Sequence, residues 1–522
     1  MYDTIRGTRN DDVLEGTDEG RETIYGRGGD DVLFGGISGG DRLIGGAGND
    51  LLISGGGSST LFRGGTGFDT VSFHLADTGV DIDLADTGPQ YTGFGIAVIR
   101  NVEAVEGSDH DDVLRGNELD NVLFGGAGND MLVGRGGDDI LQGSSGDDLI
   151  DGGSGFDTAV YWDAESGVRV DLRNTDWQDT RGAGHDRLVD VESVDGSAFN
   201  DILLGTSGFN HLFGGNGNDR LFGRQGDDIL QGGNGNDLLN GGSGSDFAAY
   251  WDAASSVEVR LDDGSTDANT ATGGAGNDRL RSIENIYGSS FDDVLSGDAG
   301  SNIIHGGAGD DIISGTNTVV LSDDGAVDYL FGGDGDDVIS SSQSVAVVEG
   351  GAGQDFVELL TVGSVAVYGL EDVQQSGSGD ALGAGEGETL RATIREGAAS
   401  IDLSAFGTLT LVDSFTGRAG ELLIVDSFRG LSDPRLEIDM DGDGTADFRI
   451  TKVDNRSNFQ LSGIIGDILD MRAEQSDLMD DDLSAEFPAP PPALLAWLPE
   501  SGPGMMAAFE EIAGDWLADM AV

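Results

Sequence analysis

The chain has 522 residues, 96 of them Asp or Glu against 27 Lys or Arg, and a formal net charge of −69. Such an excess makes nucleic acid a poor partner, because phosphate binding needs basic patches, disfavours an anionic membrane, and makes compaction dependent on counterions. With no cysteine there are neither disulfides nor thiolate metal sites. No apolar run approaches the roughly 18 residues of a spanning helix. Met1 to Gly7 lack the basic and apolar segments of a cleaved secretory signal, so export is expected to use another route.

In chain order, a nine-residue unit recurs, of the form Gly125-Gly126-Ala127-Gly128-Asn129-Asp130 followed by Met131-Leu132. A first, irregular module (1–116) carries Asp12, then Asp31, Asp41 and Asp50 at spacings of ten and nine; Thr60 stands where the next acid falls, before Asp69. Asp112 leads into a second (117–205), which runs through Asn121 to Asp130, Asp139, Asp148 and Asp157. Asp201 leads into a third (206–297), which repeats it through Asn210 to Asp219, Asp228, Asp237 and Asp246. Interrupted repeats (298–362) follow Asp293 with Asn302, Asp311, Asp337 and Asp355.

A longer period of about 88 residues is superimposed, marked by Phe68-Asp69, Phe156-Asp157 and Asp246. After each mark comes an alternating phrase that predicts a strand: Val80-Asp81-Ile82-Asp83-Leu84, Val168-Arg169-Val170-Asp171-Leu172 and Val257-Glu258-Val259-Arg260-Leu261. Residues 363–463 read as a small C-terminal β domain of short strands. Residues 464–522 read as an acidic, Pro-rich tail with an amphipathic helix from about Met505, where Phe509, Ile512, Trp516 and Met520 share one face.

The physics of one unit predicts the fold. The glycine half tolerates φ > 0 and turns the chain. The x-U-x half suits a strand of about three residues with its central side chain inward. Two units wind a coil of 18 residues, so Asp112, Asp130 and Asp148 stack on one edge, and Asn121, Asp139 and Asp157 on the other. Strands about 4.8 Å apart bring stacked carboxylates close. At about 5 Å two unit charges repel by roughly 3 kcal/mol at an effective dielectric near 20. A divalent cation reverses that sign. Calcium suits an all-oxygen set of carboxylates and carbonyls of variable geometry, whereas zinc favours His or Cys. Every aspartate named above in the repeat rows, from Asp12 to Asp355, is therefore a candidate calcium ligand. Asn121, Asn210 and Asn302 admit two roles: a neutral oxygen ligand, or an amide closing the end of a stack.

These units resemble the RTX, or hemolysin-type calcium-binding repeat, family over about residues 1–360. The resemblance implies an all-β fold, a parallel β-roll solenoid with ions between turns of successive coils. It also implies type I (ABC) export through an uncleaved C-terminal signal, hence a secreted or surface-associated protein. Ile401-Asp402-Leu403-Ser404-Ala405-Phe406-Gly407 and the stretch from Asp439 to Phe448 resemble the C-terminal region of serralysin-type exported proteins. There Asp439, Asp441, Asp443 and Asp447 occupy positions 1, 3, 5 and 9 of an EF-hand-like loop, with Gly444 at 6 but Ile450 where a bidentate Glu belongs.

No catalytic set is expected. The five histidines fall in no H-E-x-x-H motif, and Gly36-Ile37-Ser38-Gly39-Gly40 matches a nucleophile elbow without the helix that should follow it. Tyr161-Trp162 and Tyr250-Trp251 read as packing beneath the insertions, with sugar stacking as the alternative. The expected function is a calcium-binding, structural or adhesive role with a cell-surface glycan as one partner. The alternative is a calcium-dependent extracellular enzyme acting on acidic polysaccharide.

Overall fold

The computed structural model describes residues 3–361, apart from 18–20, 37–39, 56–60, 262–269, 316–326, 336, 342–344 and 353–355, together with five strands between 389 and 452. Among the described residues every regular element is a β-strand. The expected tail helix lies outside them, as does Ser38 of the elbow-like motif. The chain forms two compact units, 1–246 and 247–522.

In the first unit the nine-residue units alternate between two parallel sheets. Val122–Ala127 pairs with Ile140–Ser145, placing Leu123 beside Leu141. The intervening Met131–Gly136 pairs with Leu149–Ser154 in the other sheet, placing Leu132 beside Ile150. The strands are short because the turn glycines cannot be anything larger. Gly128 has φ +137°, and a Cβ there would come within 2.5 Å of the His110 carbonyl carbon one coil away. Between turns the central apolar residue points inward: Leu114, Leu123, Leu132, Leu141 and Ile150 are all fully buried.

The alternating phrases form strands, and each supplies the rung before a module's first repeat strand. Asp81–Asp83 pairs in parallel with Val113–Arg115, and Arg169–Asp171 with Ile202–Leu204. The insertions are folded on themselves by a buried glutamine: Gln90 Oε1 accepts the Asp83 amide at 2.5 Å, and Gln178 Oε1 accepts the Asp171 amide at 2.8 Å. Tyr161 is buried at 2% exposure, which removes its ring from any sugar platform.

In the second unit the same winding continues. Ile303–Ala308 pairs in parallel with Val327–Asp334, and Val294–Ser296 with Ile312–Ser314. Val257–Arg260 again supplies the preceding rung, pairing with Val294–Ser296. Phe356–Thr361 pairs in parallel with Thr389–Ile394, so the C-terminal β region begins as a continuation of the repeat sheet. Glu421–Val425, Arg435–Asp439 and Phe448–Lys452 then pair antiparallel.

The coil core generates a first prediction. Leu132→Ala should lower calcium-loaded stability by about 2–5 kcal/mol, as for other buried leucines. Leu119→Ala, at a side chain 66% exposed, should change it by less than about 0.5 kcal/mol. Denaturant titration compares the two.

Candidate metal sites along the turn edges

Each ladder acid folds back over the first glycine of its own turn and reaches one coil away. Asp130 Oδ1 accepts the Asp112 amide and Asp148 Oδ1 the Asp130 amide, both at 2.8 Å. On the other edge Asp139 Oδ1 accepts the Asn121 amide at 2.7 Å and Asp157 Oδ1 the Asp139 amide at 2.9 Å. One carboxylate oxygen is thus committed to the stack. The other is not: Oδ2 of Asp130, Asp139, Asp148 and Asp157 is buried and bonded to no donor, as are those of Asp31, Asp228 and Asp311.

These oxygens do not stand alone. A Cβ built on Gly134 would lie 2.1 Å from Asp139 Oδ2 and 2.6 Å from the Gly152 carbonyl oxygen of the next coil. Gly306 forms the same cradle in the second unit, with Asp311 Oδ2 and the Gly332 carbonyl oxygen at 2.2 and 2.4 Å. A carboxylate and a carbonyl gathered over a glycine, with no proton donor between them, make an acceptor-only pocket. Burial lifts Asp139, Asp148 and Asp311 to about 8, and neighbouring acids add to it while backbone amides oppose it. Asp130 and Asp228 rise to about 7 for the same leading reason.

Such a pocket fits a hard divalent cation. Calcium takes six to eight oxygens at flexible geometry, and the residues that would hold it are the Oδ2-bearing aspartates with first-glycine carbonyls. Among the described residues no three His, Cys, Asp or Glu side chains gather into a dedicated cage, in keeping with sites built one carboxylate per turn.

The remaining sequence-expected acids divide into groups. Asp41 accepts the amides of Glu22 and Gly36, and Asp237, Asp246 and Asp337 accept those of Asp219, Asp228 and Asp311. Asp50 and Asp69 continue the first module's row, accepting the amides of Asp31 and Asp50 at 3.0 and 2.9 Å. Asp355, Asp441, Asp443 and Asp447 lie outside the described residues, and Asp439 ends a strand whose side chains are not described.

Asp112, Asp201 and Asp293 differ. Their Oδ1 accepts the amide of Val80, Val168 or Val257, and their Oδ2 the amide of Ser108, Ser197 or Ser289, with the serine hydroxyl bonding Oδ1 as well. Asp12 Oδ2 is likewise taken by the Thr8 amide and hydroxyl. Four module-opening acids are therefore engaged by the protein itself. The sequence carries a signal for this: regular turns place Gly128, Gly137, Gly146 or Gly155 two residues before the acid, whereas these place Asn10, His110, Phe199 or Phe291 there.

The three asparagines use both halves of the amide. Oδ1 accepts the amides of Asn117, Thr206 and Asp298, while Nδ2 donates to the carbonyls of Glu103, Glu192 and Glu284 at 3.1, 2.9 and 2.7 Å. A carboxylate there would set oxygen against oxygen. The amide closes the stack against the insertion.

Sequence reasoning missed the residues that carry the rows across the insertions. Glu103 and Glu192 Oε2 accept the Asp69 and Asp157 amides, Asp186 Oδ1 accepts the Asp148 amide, and Asp328 Oδ1 accepts the Asn302 amide. A spacing signal existed for three of them, since Glu103, Glu192 and Asp328 stand nine residues before Asp112, Asp201 and Asp337, whereas Asp186 is out of register with Asp201. It also missed an outer row one residue before the acids, where the Asn129 amide donates to Asp111 Oδ1 and the Asp147 amide to Asn129 Oδ1. The recurring Asn-Asp and Asp-Asp pairs were its signal.

Parallel coils of 18 residues whose turns hold donor-less carboxylates define a metal-binding β-roll. The family model for the RTX calcium-binding nonapeptide repeat matches residues 17–38, 36–71, 106–141, 124–159, 195–230, 214–248, 263–282, 287–317 and 323–357. The chain belongs to this RTX family. No curated protein matches it.

The raised carboxyls fix a pH dependence. In the unfolded chain these acids ionise near 3.8, and in the metal-free fold near 6 to 8. The fold therefore binds more protons than the unfolded chain between those values, and its stability falls as pH rises through them. In excess chelator the β signal in circular dichroism should be stronger at pH 5 than at pH 8. Calcium should abolish the difference by stabilising the ionised rows.

Proposed function

We propose that this RTX protein is exported unfolded and completes its fold on calcium outside the cell, where it serves a structural, adhesive or surface-associated role rather than a catalytic one. The buried, donor-less Oδ2 atoms carry this reading, because metal-free ionised rows oppose the stack that the rest of the sequence encodes. Where free calcium is scarce the rows repel. Where it is abundant each ion at 100 times its dissociation constant adds about 2.7 kcal/mol, so several sites together supply the fold's stability. A glycan or other surface ligand is the partner this role calls for. Cell-associated binding that chelator reverses would support it.

The tail is proposed to be the type I export signal, and residues 401–407 and 439–448 the serralysin-like segment preceding it. Two outcomes follow. Calcium added to chelated protein should raise a β-type circular dichroism signal cooperatively, and a full signal in excess chelator at pH 8 would refute the switch. Deleting residues 464–522 should stop export from a strain carrying a type I exporter while leaving calcium-dependent folding intact, and continued export would refute the signal.

A further inference from the structure

Arg135 and Arg224 stand at the second position of their turns, where most regular turns carry a glycine such as Gly126, Gly153, Gly215, Gly233 or Gly242, and others carry Ser144 or Arg27. Both take the left-handed conformation that favours glycine, with φ +82° and +85°. Each guanidinium does two things. Arg135 pairs with both carboxylate oxygens of Asp83, at 2.8 and 2.7 Å, and Nη1 donates to the Gly116 carbonyl at 2.7 Å. Arg224 does the same with Asp171, at 2.8 and 3.0 Å, and with the Gly205 carbonyl at 2.5 Å.

Gly116 and Gly205 are the first glycines of the turns ending in Asn121 and Asn210. In a regular turn the first-glycine carbonyl faces the carboxylate of the preceding coil across a glycine cradle, as Gly152 faces Asp139 over Gly134. Before Gly116 and Gly205 comes an insertion and no glycine-rich turn. The carbonyls that elsewhere join an acceptor-only pocket here accept from an arginine, and the insertion contributes the balancing acid.

The interrupted repeats that follow the third module give an independent contrast. Where Asp83 and Asp171 stand the insertion before them has Arg260, and fourteen residues after Asn302, where the arginines would fall, they have Thr316. Acid and arginine are replaced together, as expected of partners in one interaction.

We infer that Arg135 and Arg224 are built-in cations that close the first turns of the second and third modules in place of a calcium ion, clamping the insertions of residues 79–100 and 167–190 to the roll through Asp83 and Asp171. This rests on the calcium reading of the regular turns. It assigns the Gly116 and Gly205 carbonyls to guanidinium groups and leaves calcium to the turns where Oδ2 has no donor.

Crystals of the calcium-loaded full chain, measured for calcium anomalous scattering, test it directly. Ions are expected between regular turns, such as those of Asp139 and Asp157, and none against the Gly116 or Gly205 carbonyl. An ion on either carbonyl overturns the inference, whereas no calcium anywhere refutes the calcium reading beneath it. A second test uses Arg135→Ser, since Ser144 already occupies this turn position at φ +71°. Equilibrium dialysis should find one more calcium per chain than in the native protein, taken up by the freed Asp83 carboxylate and Gly116 carbonyl. Arg135→Ser with Asp83→Ser should return to the native count. An unchanged count in a folded Arg135→Ser protein also overturns the inference, and if that variant does not fold, the anomalous map of the native protein decides.

Discussion

Like charges stacked at strand spacing are the constraint on which everything else depends. The backbone ladder and the inward Leu and Ile column favour coils one strand apart, and the same spacing forces Asp130 toward Asp148 and Asp139 toward Asp157. The protein lowers part of that cost by committing Oδ1 to a backbone amide of the neighbouring coil. What remains is Oδ2, desolvated and facing a carbonyl. Proton or metal can occupy that place, and near neutral pH only the metal keeps the row both compact and ionised.

The insertions show how a solenoid interrupts itself without losing its rows. After Asp69 and Asp157 the chain leaves the nine-residue register, yet Glu103 and Glu192 reach the vacated rung with a longer side chain. The module then restarts with an asparagine that donates to the same glutamate's carbonyl and an aspartate saturated by Ser and Val. Metal-dependent turns are thereby bracketed by turns that hydrogen bonds or guanidinium groups complete.

Much of this was legible because period and chemistry coincide. An apolar residue every nine positions fixes which side chains enter the core, and an acid at constant offset fixes the edge row, so Leu132 and Asp130 could be placed before any coordinates. What could not be read depends on distance in space. Glu103 is in register with Asp112 but not with Asp69, whose amide it accepts, and Asp83 lies 52 residues from Arg135. The first module illustrates the tolerance involved: Asp12, Asp31, Asp50 and Asp69 keep their row at a spacing of 19 instead of 18.

The inner and outer rows run in opposite senses. An inner acid accepts from the coil before it, as Asp148 does from Asp130, whereas an outer side chain accepts from the coil after it, as Asp111 does from Asn129. An unfinished stack therefore presents one row of acceptors and one row of donors at whichever end is exposed. Each end is a template for the next coil, and growth has no preferred direction built into its side-chain bonds. Assembly by nearest-neighbour addition from either terminus, or from a module in the middle, follows from that antisymmetry.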